Sequence, residues 1–154
     1  MNPLREAGEL AGAAGKGMLA GALGTVAMTV SSTLDAKLRD RPGSSAPSDA
    51  AGKVLGVQPR DEDGQARFSN VVHWSYGTSW GAARGVIAHA GLAGIPATAA
   101  HFGAVWGSSL VMLPGLGVAP PVWKQSLFET TLDAFHHAVY AAATTVAWSA
   151  VARD

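Results

Sequence analysis

The chain contains no cysteine, which excludes disulfides, thiolate metal sites and cysteine nucleophiles. It is also poor in charge. Only 14% of its 154 residues are Asp, Glu, Lys or Arg, against about 25% in ordinary soluble domains. The formal net charge is zero and there is no Lys/Arg run, so the electrostatic footprint of a nucleic-acid binder is missing. Bulky apolar residues are scarcer than the 48% hydrophobic content implies, because much of that content is alanine. The distribution of charge therefore says more than any average. Most charges fall in residues 1–16, 35–67 and the extreme C-terminus, leaving the rest nearly uncharged.

What is present is a set of long uncharged stretches. A helix crossing hydrocarbon needs about 20 mostly apolar residues, and four segments approach that: Gly17–Leu34, Phe68–Leu92, Ile95–Leu113 and Leu132–Ala152. The first lies between Lys16 and Asp35, and the third stops at Pro114-Gly115. The second carries Arg84, a residue costing about 2.5–3.5 kcal/mol at a span's centre. Its position past the middle lets it snorkel toward the nearer surface. The expected fold is all-α: one membrane domain over 1–154, an antiparallel bundle of four transmembrane helices. Its Pro-, Gly- and Ser-containing loop covers 35–67, with a short surface helix at Ala50–Leu55. Met1–Lys16 reads as a short interfacial helix. It shows no cleavage signal, so the first span would act as an uncleaved anchor.

Small residues recur at i, i+4 within these spans: Gly17 and Gly21; Gly77, Gly81 and Gly85; Gly103 and Gly107; and Ala134, Ala138 and Ala142. In lipid, close backbone approach through such ridges holds helices together. In a soluble helix each interior glycine would cost about 1 kcal/mol relative to alanine.

Three segments carry a resemblance: GMLAGALGTVAMTV, FSNVVHWSYGTSWGAARG and LPGLGVAPPVWKQSLFETTLDAFHHAVY. In the last, a Pro-Pro-aromatic loop leads into an acidic, histidine-containing helix start. Together they resemble the YagU-like family of bacterial inner-membrane proteins over about three-quarters of the chain, and the long loop departs from it. The resemblance implies a multi-pass protein of the bacterial inner membrane with a role in acid tolerance. It implies no catalytic residues.

Alternating span direction sorts the polar residues into two levels. Asp35, His73, Glu129, Asp133, His136 and His137 fall in the half bearing the long loop, whereas Arg84, His89 and His101 fall in the other. Arg84 lies roughly 24 Å of helical rise from the start of its span, so it should not pair with Asp133. On the fourth span Glu129, Asp133, His136 and Tyr140 lie within about 60° of one another around the helix. Such a stripe avoids lipid only by facing the bundle or lining water. Thr25, Thr29 and Ser32 form a milder stripe on the first span.

His73, Glu129, Asp133, His136 and His137 are thus candidates for relaying protons or binding small ions. The plainer reading makes Glu129 and Asp133 first-turn carboxylates favoured by the helix dipole, with histidines satisfied by backbone carbonyls. No spacing matches a metal motif such as His-Glu-x-x-His, and no metal or cofactor is assigned. His73 and His89 are rotated by about 160° from one another, which leaves room for one haem at most.

Gly77-x-x-x-Gly81-x-x-x-Gly85 is no phosphate loop, since neither a strand nor Lys-Ser/Thr accompanies it. The aromatics Trp74, Tyr76, Trp80, Trp106 and Trp148 suit packing or interfaces, and Trp123 suits the headgroup region. Positive residues favour the loop side, which the positive-inside rule puts in the cytoplasm. Two functions follow, neither enzymatic: proton or ion handling, or a structural or adaptor role. The partners expected are the lipid bilayer and either a second copy or another membrane protein, with no nucleic acid.

Overall fold

The computed structural model describes Asn2–Arg153, and every regular element among these residues is helical. The helices are α1 (Pro3–Leu38), α2 (Ala46–Leu55), α3 (Glu62–His89), α4 (Gly94–Gly115) and α5 (Leu127–Val151), with one 3-10 turn at Val122–Lys124.

Local chemistry sets most of the boundaries. Asn2 Oδ1 accepts from the Leu4 amide ahead of Pro3, Asp61 Oδ1 from Gly64, and Ser126 Oγ from Glu129, each satisfying one orphan donor of a first turn. The α1 helix ends where Asp40 takes a positive φ of 47° and Pro42 follows. Gly56 closes α2 in the left-handed region.

Two sequence expectations about the N-terminal part need correction. Met1 lies outside the described residues, but Asn2–Lys16 is not a separate interfacial helix: Pro3–Leu38 is one continuous helix of 36 residues, about 54 Å long. No proline interrupts it after its first position, and its interior glycines lower helix propensity without breaking the helix. Likewise, the loop over 35–67 is shorter than expected, and its short helix is longer than Ala50–Leu55. Helix persists to Leu38, occupies Ala46–Leu55 and resumes at Glu62.

The four long helices pack antiparallel in sequence-neighbour fashion around a ring. α1 lies against both α3 and α5, and α4 lies against α3 and α5 on the far side. The α1–α3 seam is the closest. A Cβ on Gly21 would come within 2.6 Å of the Gly81 Cα, and one on Gly17 within 2.8 Å of the Gly85 amide nitrogen. Gly77 faces the Thr25 side chain in the same seam. Gly24, which the i, i+4 pattern omits, lets Tyr140 and Thr144 of α5 reach α1.

The other ridges turn outward. Gly103 and Gly107 have no neighbour within 4 Å of a Cβ position. Ala138 and Ala142 are exposed, and α5 instead buries His136, Tyr140, Ala141, Thr144 and Ala147. Spacing alone does not say which of several faces with small residues a neighbour occupies.

The distribution of size and polarity is inverted relative to a water-soluble bundle. The buried side chains are small or polar for the most part: five alanines, Thr25, Ser48, Arg84, His101, Ser109, His136 and Thr144, with Val105 and Tyr140 the exceptions. Large apolar side chains face out: Leu19, Leu23 and Val30 on α1, Val71 on α3, Val111 on α4, and Phe135 and Val146 on α5. Among the described residues, α1 alone is both long and apolar enough to cross a membrane by composition. The other long helices have the length, at 28, 22 and 25 residues, but are diluted by Gly, Ser, Thr and His.

Candidate functional site

Where α4 diverges from the other long helices, a cleft of about 1500 Å³ opens between them at the end that bears α2. Its mouth is the exposed segment 40–45 with α2, and its floor is formed by Thr25, Gly77, Trp80 and Tyr140. All five sequence candidates, His73, Glu129, Asp133, His136 and His137, line it, as do Asp35 and Arg41.

At the mouth, α1 and α5 are tied by a knot of charge. Asp35 accepts from Arg41 Nη2 at 2.7 Å and lies 3.7 Å from Arg39 Nη1. Glu129 is held by Arg39 Nη2 and, at 3.2 Å, by Arg41 Nη1. Arg39 also stacks over the Phe128 ring, 4.8 Å from its centroid. The hydrogen bond from Arg41, and then the charges of Arg41 and Arg39, hold the Asp35 carboxyl below the usual range against some desolvation. Glu129 is lowered in the same way, first by its bond from Arg39.

One turn deeper, each histidine has a defined role. The Thr29 hydroxyl spends its proton on the Thr25 carbonyl at 2.6 Å, so His73 Nε2, 2.7 Å away, donates to it. His136 Nδ1 shares a 2.8 Å hydrogen bond with the Ser31 hydroxyl. Its Nε2 is buried, has no hydrogen-bond partner, and points to Asp35 Oδ2 at 3.9 Å. His137 Nδ1 donates to the Asp133 carbonyl at 2.8 Å and sits 3.4 Å from that residue's carboxylate. Trp106 Nε1 from α4 donates to Asp133 Oδ2 at 2.8 Å. At the floor the Tyr140 hydroxyl donates to the Gly77 carbonyl at 2.6 Å.

The structure thus joins side chains of α1 and α5 that the sequence places only in the same half of the bundle. His136 lies between Ser31 and Asp35, and Glu129 is clamped by arginines. Asp133 is turned toward Trp106 and His137, away from the Asp35 knot. His73 stands across the cleft on α3 and touches none of the α5 candidates. Reading the sequence along its spans missed Arg39, Arg41, Ser31 and Trp106. The i, i+4 relation of Asp35 to Arg39 was the available signal, hidden because the helix was taken to end at Leu34.

Among the described residues, no three imidazole or carboxylate groups converge closely enough to hold a metal ion. The arrangement can bind and release protons, and it can solvate a small ion with hydroxyls and imidazoles. Ser31, His136 and Asp35 stand in the order hydroxyl, imidazole and carboxylate, with the imidazole 2.8 Å from the hydroxyl and 3.9 Å from the carboxylate. No protein-family model matches the chain, and no curated protein or solved structure shows significant similarity to it.

Proposed function

We propose that this is a four-span protein of the bacterial inner membrane that handles protons or small ions through the cleft at the α2 end. The spans are the central parts of α1, α3, α4 and α5. The membrane reading is supported by the outward apolar side chains and the small, polar interior: packing through small residues, with large ones left for lipid, is how bundles cohere in hydrocarbon. It also agrees with the resemblance to YagU-like proteins and the acid-tolerance role which that implies.

One observation carries the ion-handling part. The titratable side chains of α1, α3 and α5 face a common cleft of about 1500 Å³. An adaptor subunit would need dense packing at this level. A cleft walled by His73, Asp133, His136, His137 and Tyr140 provides imidazoles and a carboxylate able to take up or give up a proton beside groups that fix their orientation. His136 is the pivotal one, because its two nitrogens face a hydroxyl and a carboxylate on α1.

The test is proton flux into vesicles that contain purified protein and a trapped pH dye. Wild type should dissipate an imposed gradient, whereas Asp133→Asn and His136→Ala should slow it at least about tenfold, a typical loss for a proton-transfer group being larger still. The outward-facing Gly103→Ala should run at the wild-type rate. Equal rates for wild type, both site variants and protein-free vesicles would remove the reading.

A further inference from the structure

Beneath the cleft floor lies a second polar layer that the proposed pathway does not use. Arg84 was expected to snorkel to the surface; instead its side chain turns into the bundle and the residue is only 2% exposed. The Nε donates to the Thr145 hydroxyl at 3.3 Å, and the guanidinium carbon lies 5.2 Å from the centre of the Trp148 ring. Among the described residues no carboxylate pairs with it within 4.0 Å, and its Nη1 is buried without a hydrogen-bond partner.

One further buried atom in this layer is also unpartnered. His101 is fully buried. Its Nε2 donates to the Trp80 carbonyl at 3.0 Å, one helical turn before Arg84, while its Nδ1 has no partner. Thr144, also fully buried, turns its Oγ1 to Gly24 on α1 and lies outside this layer. Thr98 closes the layer from α4 by donating to Thr145 at 3.0 Å.

A guanidinium cannot shed its proton in a protein. Buried without a counter-charge it costs several kcal/mol, and the Trp148 face and one neutral hydroxyl offset only part of that. The remedy that fits is a negative charge brought in from outside. Enclosure limits its size: with Arg84 only 2% exposed, a lipid headgroup or a peptide carboxylate is excluded and a monatomic or small monovalent anion remains.

We propose that Arg84 is the core of a binding site for a small monovalent anion of halide size, with the Thr145 hydroxyl beside it. The site is separate from the titrating cleft. Anion binding at equilibrium can therefore fail while proton flux persists, or persist while flux fails.

The experiment uses detergent-purified full-length protein in sodium bromide or chloride against sodium gluconate at constant ionic strength. In wild type the thermal midpoint should rise with the logarithm of halide concentration above half-saturation. Arg84→Gln should weaken half-saturation at least about tenfold, the worth of one charge-assisted hydrogen bond, whereas Arg84→Lys should keep a response. A second readout stands even if Arg84→Gln fails to fold. Bromide should quench a saturable part of the wild-type tryptophan fluorescence, and Trp148→Phe should remove that part. Midpoints that do not distinguish halide from gluconate, together with quenching that is linear and unchanged in Trp148→Phe, would overturn the site.

Discussion

Asp35 and Glu129 stand ninety-four positions apart in the chain, yet the same two arginines clamp both. Each carboxyl is held below its ordinary value, chiefly by a hydrogen bond from an arginine. The sign of the pH effect follows. A carboxylate with a lowered native pKa binds fewer protons folded than unfolded, so its contribution is fully present above the ordinary carboxylate range, about pH 4 to 5. It is lost as pH falls through the lowered native values. Thermal midpoints measured from pH 7 down to pH 2 should therefore fall in acid, and Glu129→Gln should flatten part of that fall. A Glu129→Gln profile superimposable on wild type would mean that the knot contributes nothing. The mouth of the cleft is thus expected to hold its closed charge pattern well below neutral pH.

At the scale of elements, the α1–α3 seam depends on the absence of side chains. Gly81→Ala would press a methyl group onto the Gly21 backbone, and because backbone cannot rotate away the helices must separate. Overpacking of that kind costs about 1–3 kcal/mol. Gly103→Ala meets no neighbour within 4 Å and should gain up to about 1 kcal/mol through helix propensity alone. Unfolding both variants in the same mixed micelles checks the pair, and equal stabilities would show that the seam is looser than drawn.

The same comparison shows what was legible at this scale. The i, i+4 glycines of α1 and α3 announced a packing face, because glycine in a helix interior needs a reason. Those of α4 and the alanines of α5 carried an identical signal and face outward, while Gly24 carried none and sits under Tyr140 and Thr144.

The whole molecule presents its large apolar side chains to the outside and keeps alanine, hydroxyls, imidazoles and one guanidinium within. Leu23 is more than half exposed on the outer face of α1, so Leu23→Arg should add about 2.5–3.5 kcal/mol to the insertion of that helix and lower the membrane-integrated fraction in a glycosylation-reporter assay. Recovery of the wild-type chain as a monodisperse protein without detergent would refute the membrane assignment itself.

Helicity, the small-residue character of the seams and the gathering of polar residues at the α2 end were all readable from sequence. Each depends on rotation and rise within a single helix, and 3.6 residues per turn supplies both. Only the tertiary structure decided the rest. Which face of each helix meets a neighbour is a rotation about its own axis that no spacing specifies, so it took the packed bundle to turn Gly103 and Gly107 outward and Arg84 inward. The join of Asp35, Arg39, Arg41 and Glu129 needed α1 to continue beyond its apolar stretch. Hydrocarbon length limits where a chain is uncharged, whereas capping and proline limit where it stops being a helix.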